Sequence, residues 1–455
     1  MRRFTLGGVV WLFGVAALAL ADTGFRLTGN GIYEDVQPPL HWSATSNVVW
    51  SARLKWSNAS PIVLGDQVIV CEEPDVLLSL GFADGQLRWA VTNSYFEALP
   101  PAEGEVARAN QQKSEALRQT LRDAEKQLRE SEKAAKANTN DAAATTGWKA
   151  AQQEVAALRK QLEPLQKYRL PDTHSVTGYT SPTPVTDGRN VYAVFCSGVV
   201  VGVTPTGQRL WTRLLPARPH HGWGHSASPR LAGNLLLVHF GNRLFALDVQ
   251  TGVDQWTADA PSGFGSPVVE PVEGTPVVIT PGGDFIAVTD GRKRAVGLFK
   301  FPWNGPVVKD GVVYQIDEGG AAAYPIKLDG AAKPAPLWTT KVPAGRYYAT
   351  SLWQAGLLYN VSQGGTLVVL NASDGSVVYE KALGFGGGTV YPSPTLAGGR
   401  IYLSCDNGVT VVIRPGRVYE ELARNKLPEF RSCPVFRGES MLVRTLNGVV
   451  RVQEK

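Results

Sequence analysis

A unit of about 35 residues recurs eight times along this chain, and no other feature limits the fold as strongly. Each unit opens with Ser-Pro or a near variant, runs into a short apolar strand and turns at Gly. Two further strands follow, separated by a second Gly turn. The unit then turns at Asp-Gly or Thr-Gly and places a Trp shortly afterwards. The clearest copies run over 60–91, 181–215, 228–260 and 393–422. Four short strands per unit at this period predict a β-propeller, in which each unit is one blade.

The turn chemistry supports four-stranded antiparallel blades. First hairpins turn at Gly65-Asp66, Asp187-Gly188, Ala232-Gly233, Glu273-Gly274, Asp310-Gly311, Ala355-Gly356, Gly398-Gly399 and Arg437-Gly438. Tight hairpins need the positive φ that Gly supplies at least cost. Third turns fall at Asp84-Gly85, Thr206-Gly207, Thr251-Gly252, Asp290-Gly291, Asp329-Gly330 and Asp374-Gly375. Trp89, Trp211 and Trp256 stand four residues after their Gly, Tyr379 holds that place in the sixth unit, and Trp338 follows a longer turn in the fifth. Flat rings at one repeated place are expected to pack blade on blade.

The last unit has only three strands, near 433–436, 441–444 and 449–452. A lone strand carrying Trp50 stands before the first unit, at 47–54. The reading is that this N-terminal strand completes the eighth blade and closes the ring, which removes exposed strand edges. The fold class is therefore all-β: an eight-bladed β-propeller of four-stranded antiparallel blades, with one insertion. Seven blades remain an alternative, because the fourth and fifth units are irregular.

The insertion runs from Pro100 to about Lys167 and is rich in Ala, Glu, Lys, Gln and Arg. Leu117, Leu121, Ala124 and Leu128 step at helical spacing, as do Val155, Leu158, Leu162 and Leu165, with a turn at 138–141 between them. This predicts an antiparallel, coiled-coil-like helical hairpin. Two roles stay open for it: a solvated spacer, or an arm that docks another protein. The expected organisation is a signal peptide at 1–21, the closing strand and blade 1 at 22–99, the helical hairpin at 100–170, and blades 2–8 at 171–455.

Residues 1–21 read as an export signal, with basic Arg2 and Arg3, an apolar stretch from Val9 to Leu20, and Ala19-Leu20-Ala21 before Asp22. No later segment is long and apolar enough for a membrane helix. The expected location is periplasmic or secreted. The formal net charge is +5, and removing Arg2 and Arg3 leaves about +3, too weak and dispersed to argue for nucleic acid. Of the four cysteines, Cys71, Cys196 and Cys405 occupy equivalent places on different blades. Only Cys405 and Cys433 are candidates to pair. There is no CxxC metal pair and no CxxCH haem site.

The Ser-Pro opening, the Gly-punctuated hairpins and the Asp/Thr-Gly-x-x-x-Trp ending resemble the pyrroloquinoline-quinone-type propeller repeat, of the same general kind as WD40/YVTN-like arrays. The resemblance covers about 42–98 and 172–453. Gly29-Asn30-Gly31 and Pro38-Pro39-Leu40-His41-Trp42 look like the lead-in of exported bacterial propellers of this kind. The resemblance implies one of two functions. The fold serves quinone-dependent alcohol and glucose dehydrogenases, and also non-catalytic envelope propellers such as the outer-membrane assembly lipoprotein. In the enzymes, two adjacent cysteines, a calcium site of Glu, Asn and Asp, and a catalytic Asp surround the quinone. This chain has no adjacent Cys pair, and no such calcium set is readable by motif. Catalysis is disfavoured; pyrroloquinoline quinone remains the one possible cofactor.

The loops entering each blade should lie together around the central channel. They carry Trp56, Asn58, His174, Tyr179, Trp223, His225, Phe264, Trp303, Asn304, Arg346, Tyr348, Tyr391, Phe430 and Arg431. Aromatics with a few polar groups are the composition of a binding mouth. The competing reading is that each aromatic packs beneath its own blade. His220, His221 and His225 hold three of the six histidines. No acidic or Cys ligand stands nearby in sequence, so hydrogen bonding or ligand contact is expected there rather than a metal. No Ser-His-Asp arrangement stands out. The sequons at Asn58, Asn360 and Asn371 match by chance-level patterns. The expected function is an exported, non-catalytic binding scaffold acting through the channel face or the arm. Its partner would be a protein, peptide or glycan of the cell envelope. The alternative is a small quinone- or metal-dependent oxidoreductase.

Overall fold

The computed structural model describes residues 23–138, 140–328 and 334–454, without the side chains of Lys167 and Tyr168. The expected export signal, Thr139 and the Asp329-Gly330 turn lie outside these residues. Eight four-stranded antiparallel sheets form a closed ring. Blades 1 to 7 begin at Ile62, Val185, Arg230, Val268, Val307, Leu352 and Thr395 respectively, each with its innermost strand. In blade 8 the strands Val435–Arg437, Ser440–Thr445 and Gly448–Gln453 are joined by Val48–Arg53, which pairs antiparallel with Gly448–Gln453 as the outermost strand. The ring thus has eight blades, and both ends of the array meet in the last one.

The second and third strands of most blades are almost wholly buried, because they face neighbouring blades on both sides. Leu235–Phe240 and Val199–Val203 are examples, whereas Val312–Asp317 of blade 5 is only half-buried. Fourth strands alternate between covered and exposed, as in Asp254–Asp259, the pattern of a half-buried strand. The repeated Trp has one job. Trp50, Trp211, Trp256 and Trp338 each donate Nε1–H at 2.9 Å to a carbonyl of the following blade, those of Phe82, Val249, Val288 and Ala372. Trp89 does the same to Pro205 at 2.8 Å. Each ring lies flat on the Gly of the next blade's third turn. A Cβ at Gly252 would stand 2.6 Å from the Trp211 ring, and Gly252 has φ +70°. Glycine is required there both for the backbone conformation and for the close approach.

The N-terminal segment reaches further than the closing strand. Thr23 bridges to Thr186 of blade 2. Ile32–Tyr33 adds a fifth, parallel strand along the channel side of blade 7, opposite Leu396 and Ala397. Between these anchors, residues 23–33 occupy the central channel. The next stretch wraps blade 7, where the Tyr402 hydroxyl donates to the Pro39 carbonyl at 2.9 Å and Trp42 stacks on Tyr402.

The insertion is a helical hairpin, α1 (Pro101–Ala137) and α2 (Ala142–Leu162), followed by a 3-10 turn over Glu163–Tyr168. Asp141 caps α2 by accepting from the Ala143 and Ala144 amides. Ala124, Val155 and Leu158 form the seam, flanked by Leu117, Leu121 and Leu128. The Arg159–Glu125 pair bridges the helices at 2.8 Å. α1 is about 55 Å long by the helical rise. The hairpin joins the outermost strand of blade 1 to the entry of blade 2, so it leaves the ring on the face where all blade entries lie. All four cysteines are free, Cys405 and Cys433 included.

Two outcomes follow. Replacing 101–168 by a short Gly/Ser linker should leave a folded propeller with unchanged β-type circular dichroism; loss of that signal would overturn the separate-hairpin reading. Trp211→Ala removes a buried ring and its hydrogen bond, and should lower unfolding stability by about 3–5 kcal/mol in a denaturant titration.

Candidate functional site

The residue that opens each blade fixes the geometry of the channel mouth. Ser60, Thr183, Ser228, Ser266, Gly305, Thr350, Ser393 and Cys433 hold this place, and in all but blade 6 the next residue is Pro. They are linked around the channel. Backbone N–H groups of Ser60, Thr183 and Ser228 donate to the hydroxyls of Thr183, Ser228 and Ser266 at 2.9–3.0 Å. Gly305 and Thr350 donate to Thr350 and Ser393 at 3.0–3.1 Å. Ser393 donates to Cys433 Sγ at 3.3 Å, and Cys433 N–H returns to Ser60 Oγ at 2.9 Å. The belt crosses every blade boundary except that between blades 4 and 5. There Gly305 offers no side chain, and a Cβ would stand 2.9 Å from the Ser266 carbonyl.

This belt corrects the register of blade 2. Its opening residue is Thr183 before Pro184, two residues beyond the Ser181-Pro182 that the sequence repeat singles out. Two consecutive x-Pro pairs make both phases look alike in sequence; only the hydrogen bond from Ser60 distinguishes them.

The chain enters each blade extended, as a residue before proline must. Successive side chains therefore alternate between the protein and the channel. Two places before the belt stand Asn58, Ser181, Ser226, Phe264, Trp303, Tyr348, Tyr391 and Arg431, and all eight line one cavity of about 580 Å³. Ser57, Thr180, His225, Tyr347, Val390 and Phe430, one place further back, are buried instead. The channel-facing ring is divided. Blades 4 to 7 supply Phe264, Trp303, Tyr348 and Tyr391; blades 8, 1, 2 and 3 supply Arg431, Asn58, Ser181 and Ser226.

The aromatic half is continuous. His221 stacks on Phe264 at 4.4 Å between centroids, and Phe264 on Trp303 at 5.4 Å. Trp303 meets Tyr348 edge-on at 5.7 Å, and Tyr348 stacks on Tyr391 at 5.3 Å. Arg346 lies over Trp303 at 4.6 Å and Arg431 over Tyr391 at 5.5 Å. The Tyr391 hydroxyl is held above its usual range by burial, so it is a neutral donor at pH 7. On the polar side Asn58 Nδ2 donates to the Val176 carbonyl, and Arg431 Nη1 donates to the same carbonyl at 3.1 Å. Asn58 Oδ1 is buried without a partner. Ser60, Ser228, Ser266 and Ser393 of the belt form the base together with Phe25 from the N-terminal segment.

Trp223 also lines the cavity, whereas most of the remaining expected mouth residues do not. Asn304 lies at the cavity edge but pins blade 5 to blade 6, donating to the Tyr347 carbonyl at 2.8 Å. His174 stacks on Trp223 at 4.0 Å and so backs the wall rather than facing the cavity. Trp56, Tyr179, His225 and Phe430 lie outside the lining. Tyr179 binds the Pro171 carbonyl, and the Tyr179 and Thr180 amides donate to Glu73 Oε1 at 2.8 and 2.7 Å. His225 packs on Phe240 with Nε2 unpartnered. Sequence reasoning missed Ser181, Ser226 and Val176. The first two follow from period-2 alternation once the register is known; Val176 carries no signal.

The three clustered histidines do not form a metal set. Among the described residues no group of three or more His, Cys, Asp or Glu side chains is placed to hold an ion. Burial pushes His225 down to about 3 and His220 to about 4, so both are neutral imidazoles. A calcium-bound quinone does not fit this lining, which contains no carboxylate.

Ring, belt and mouth together define a propeller with a ligand-sized cavity at one end of a channel closed by residues 23–33. The chain matches the family model described as outer membrane protein assembly factor BamB over residues 40–289 and 309–415, and it belongs to that family. Similar solved structures include BamB from Moraxella catarrhalis (12% identity, 90% of this chain and 99% of that one, TM-score 0.54). The quinohemoprotein alcohol dehydrogenase ADHIIG from Pseudomonas putida HK5 is also similar (11% identity, 94% and 80%, TM-score 0.55). So is a europium-containing methanol dehydrogenase (11% identity, 94% and 90%, TM-score 0.55). At these identities the likeness is one of fold. A search of the curated proteins finds no match.

The buried histidine generates a pH dependence. His225 has a folded value near 3 against about 6.5 in an unfolded chain. Unfolding then takes up a proton between these values. Its stabilising contribution is complete above about pH 6.5 and is lost as pH falls toward 3. Thermal unfolding followed across this range should show a steeper acid-side fall in Tm for the native chain than for His225→Gln.

Proposed function

We propose that this protein is an exported, non-catalytic binding scaffold whose mouth cavity receives a segment of a partner protein in the cell envelope. The division of the channel-facing ring carries the reading. An aromatic arc from blades 4 to 7 offers an apolar shelf, and it faces an arc of Arg431, Asn58 and two serines across about 580 Å³. A peptide segment with an apolar or aromatic side chain beside an anionic or carbonyl-rich stretch satisfies both halves. The aromatic faces take the side chain. Arg431 and Arg346 meet the acceptors, and the unpartnered Asn58 Oδ1 takes a donor such as a backbone N–H. Membership of the BamB family supports a protein partner.

The helical hairpin belongs to the same surface. Its return segment supplies Val176 and Thr177 to the cavity wall, and Thr173 Oγ1 fastens that segment by donating to the Gly178 carbonyl at 2.7 Å. A partner held in the mouth would lie beside the base of the arm.

A photo-crosslinking amino acid at position 303 or 348 should capture an envelope protein in cells. Trp303→Ala, Tyr391→Ala and Arg431→Gln should each weaken binding of that captured partner by tenfold or more, as central aromatic and Arg contacts do. Tight stoichiometric binding of pyrroloquinoline quinone with calcium, accompanied by dye reduction with alcohols or sugars, would overturn the proposal.

A further inference from the structure

The channel below the mouth holds two buried arginines that form no ion pair among the described residues. Arg26 of the N-terminal segment is 3% exposed and Arg230 of blade 3 is 6% exposed. Neither is ion-paired with a carboxylate among the described residues. Both rest instead on backbone carbonyls. Arg26 Nη2 donates to Asn30, Ser351 and Pro394 at 3.1–3.3 Å. Arg230 Nε and Nη1 donate to Pro267 and Phe25 at 3.0 and 2.8 Å. Arg26 Nε has no partner at all. A buried guanidinium is costly unless it is both hydrogen-bonded and neutralised.

The Gly29-Asn30-Gly31 turn brings the two groups together. A Cβ at Gly29 would stand 3.0 Å from Arg230 Nη2, and a Cβ at Gly31 would stand 2.8 Å from Arg26 Nη2. Both glycines have positive φ, +110° and +75°. The turn is thus shaped so that two guanidinium groups can lie against it from either side. Arg26, Gly29 and Asn30 line a second cavity, about 620 Å³, on the face opposite the mouth.

Glu34, Asp35 and Glu270 line the same cavity, but among the described residues none of them pairs with either arginine. The titratable groups that act on Arg26 are Cys433 and Tyr33, and burial raises both, keeping the thiol and the phenol neutral. The charge acting on Arg230 is Arg26 itself. Burial without a counter-charge lowers both arginines to about 10.

We infer that the channel binds a small inorganic anion, a halide or a phosphate-type oxyanion, at the Gly29–Gly31 turn between Arg26 and Arg230. The anion neutralises the pair, engages Arg26 Nε and fixes the N-terminal segment that forms the base of the mouth. The inference does not depend on what the mouth binds.

The test uses the full chain at constant ionic strength, with gluconate replaced stepwise by chloride or by phosphate. A saturable rise in Tm of about 2–4 °C is expected with at least one of them. Arg26→Gln and Arg230→Gln should each abolish it. Crystals grown with bromide, or with selenate in place of phosphate, should show an anomalous peak between the two guanidinium groups, which decides the matter if either variant fails to fold. Absence of any anion-specific shift and of any such peak overturns the inference. So does a shift that persists in both variants but disappears in Arg431→Gln, since the anion would then sit in the mouth.

Discussion

Everything in this molecule depends on closing the ring. Without Val48–Arg53, the last blade would present the unpaired edge of Gly448–Gln453, and a third turn of blade 1 would have no Trp against it. The N-terminal strand solves both problems at once. It completes the ladder of blade 8 and carries Trp50, whose Nε1–H reaches the Phe82 carbonyl of blade 1. Arg444 strengthens the same seam from inside. It is fully buried, with Nη1 on the Thr445 and Gly448 carbonyls and Nη2 on that of Cys71 in blade 1. A linear array stacked only on its neighbours becomes a closed object because strand pairing, ring stacking and a buried guanidinium all act at one boundary.

The inner belt translates that closure into a site. Except at the boundary between blades 4 and 5, each belt residue accepts from one neighbouring blade and donates to the other, so the innermost strands share one height around the channel. The positions two residues earlier are then forced to face one another across a common space. The belt holds hydroxyls or a thiol nearly everywhere, while the ring above it varies from Ser to Trp from blade to blade. The N-terminal segment limits the depth of that space. By placing Phe25 at the base and Arg26 beneath it, the chain turns an open channel into two cavities on opposite faces.

The repeat made the blades legible because each turn type demands particular residues. Gly252 must adopt positive φ beneath Trp211, and that pairing recurs with the period of the fold. The mouth was half legible. Phe264, Trp303, Tyr348, Tyr391, Arg346 and Arg431 could be nominated because aromatics and arginines stand out near Ser-Pro. Their burial state could not be read, because it depends on a two-residue phase. Tyr179 and Phe430 look like Tyr391 in sequence but stand four and three places before their belt residues rather than two, and so miss the cavity. Ser181 and Ser226 were invisible for the converse reason: a serine says nothing until its place on the ring is known.

The sequence by itself determined the propeller class, the closing strand, the helical hairpin and the face where the entries gather, since all of these rest on local periodicity and turn chemistry; the choice of eight blades over seven came from the sheets themselves. Tertiary structure alone decided the belt's register, the split of the ring into aromatic and polar halves, and the path of residues 23–33 through the channel. The reason is distance along the chain. Ser60 meets Cys433 and Arg26 meets Pro394 across more than three hundred residues, and no local pattern encodes which partners a closed ring will bring together.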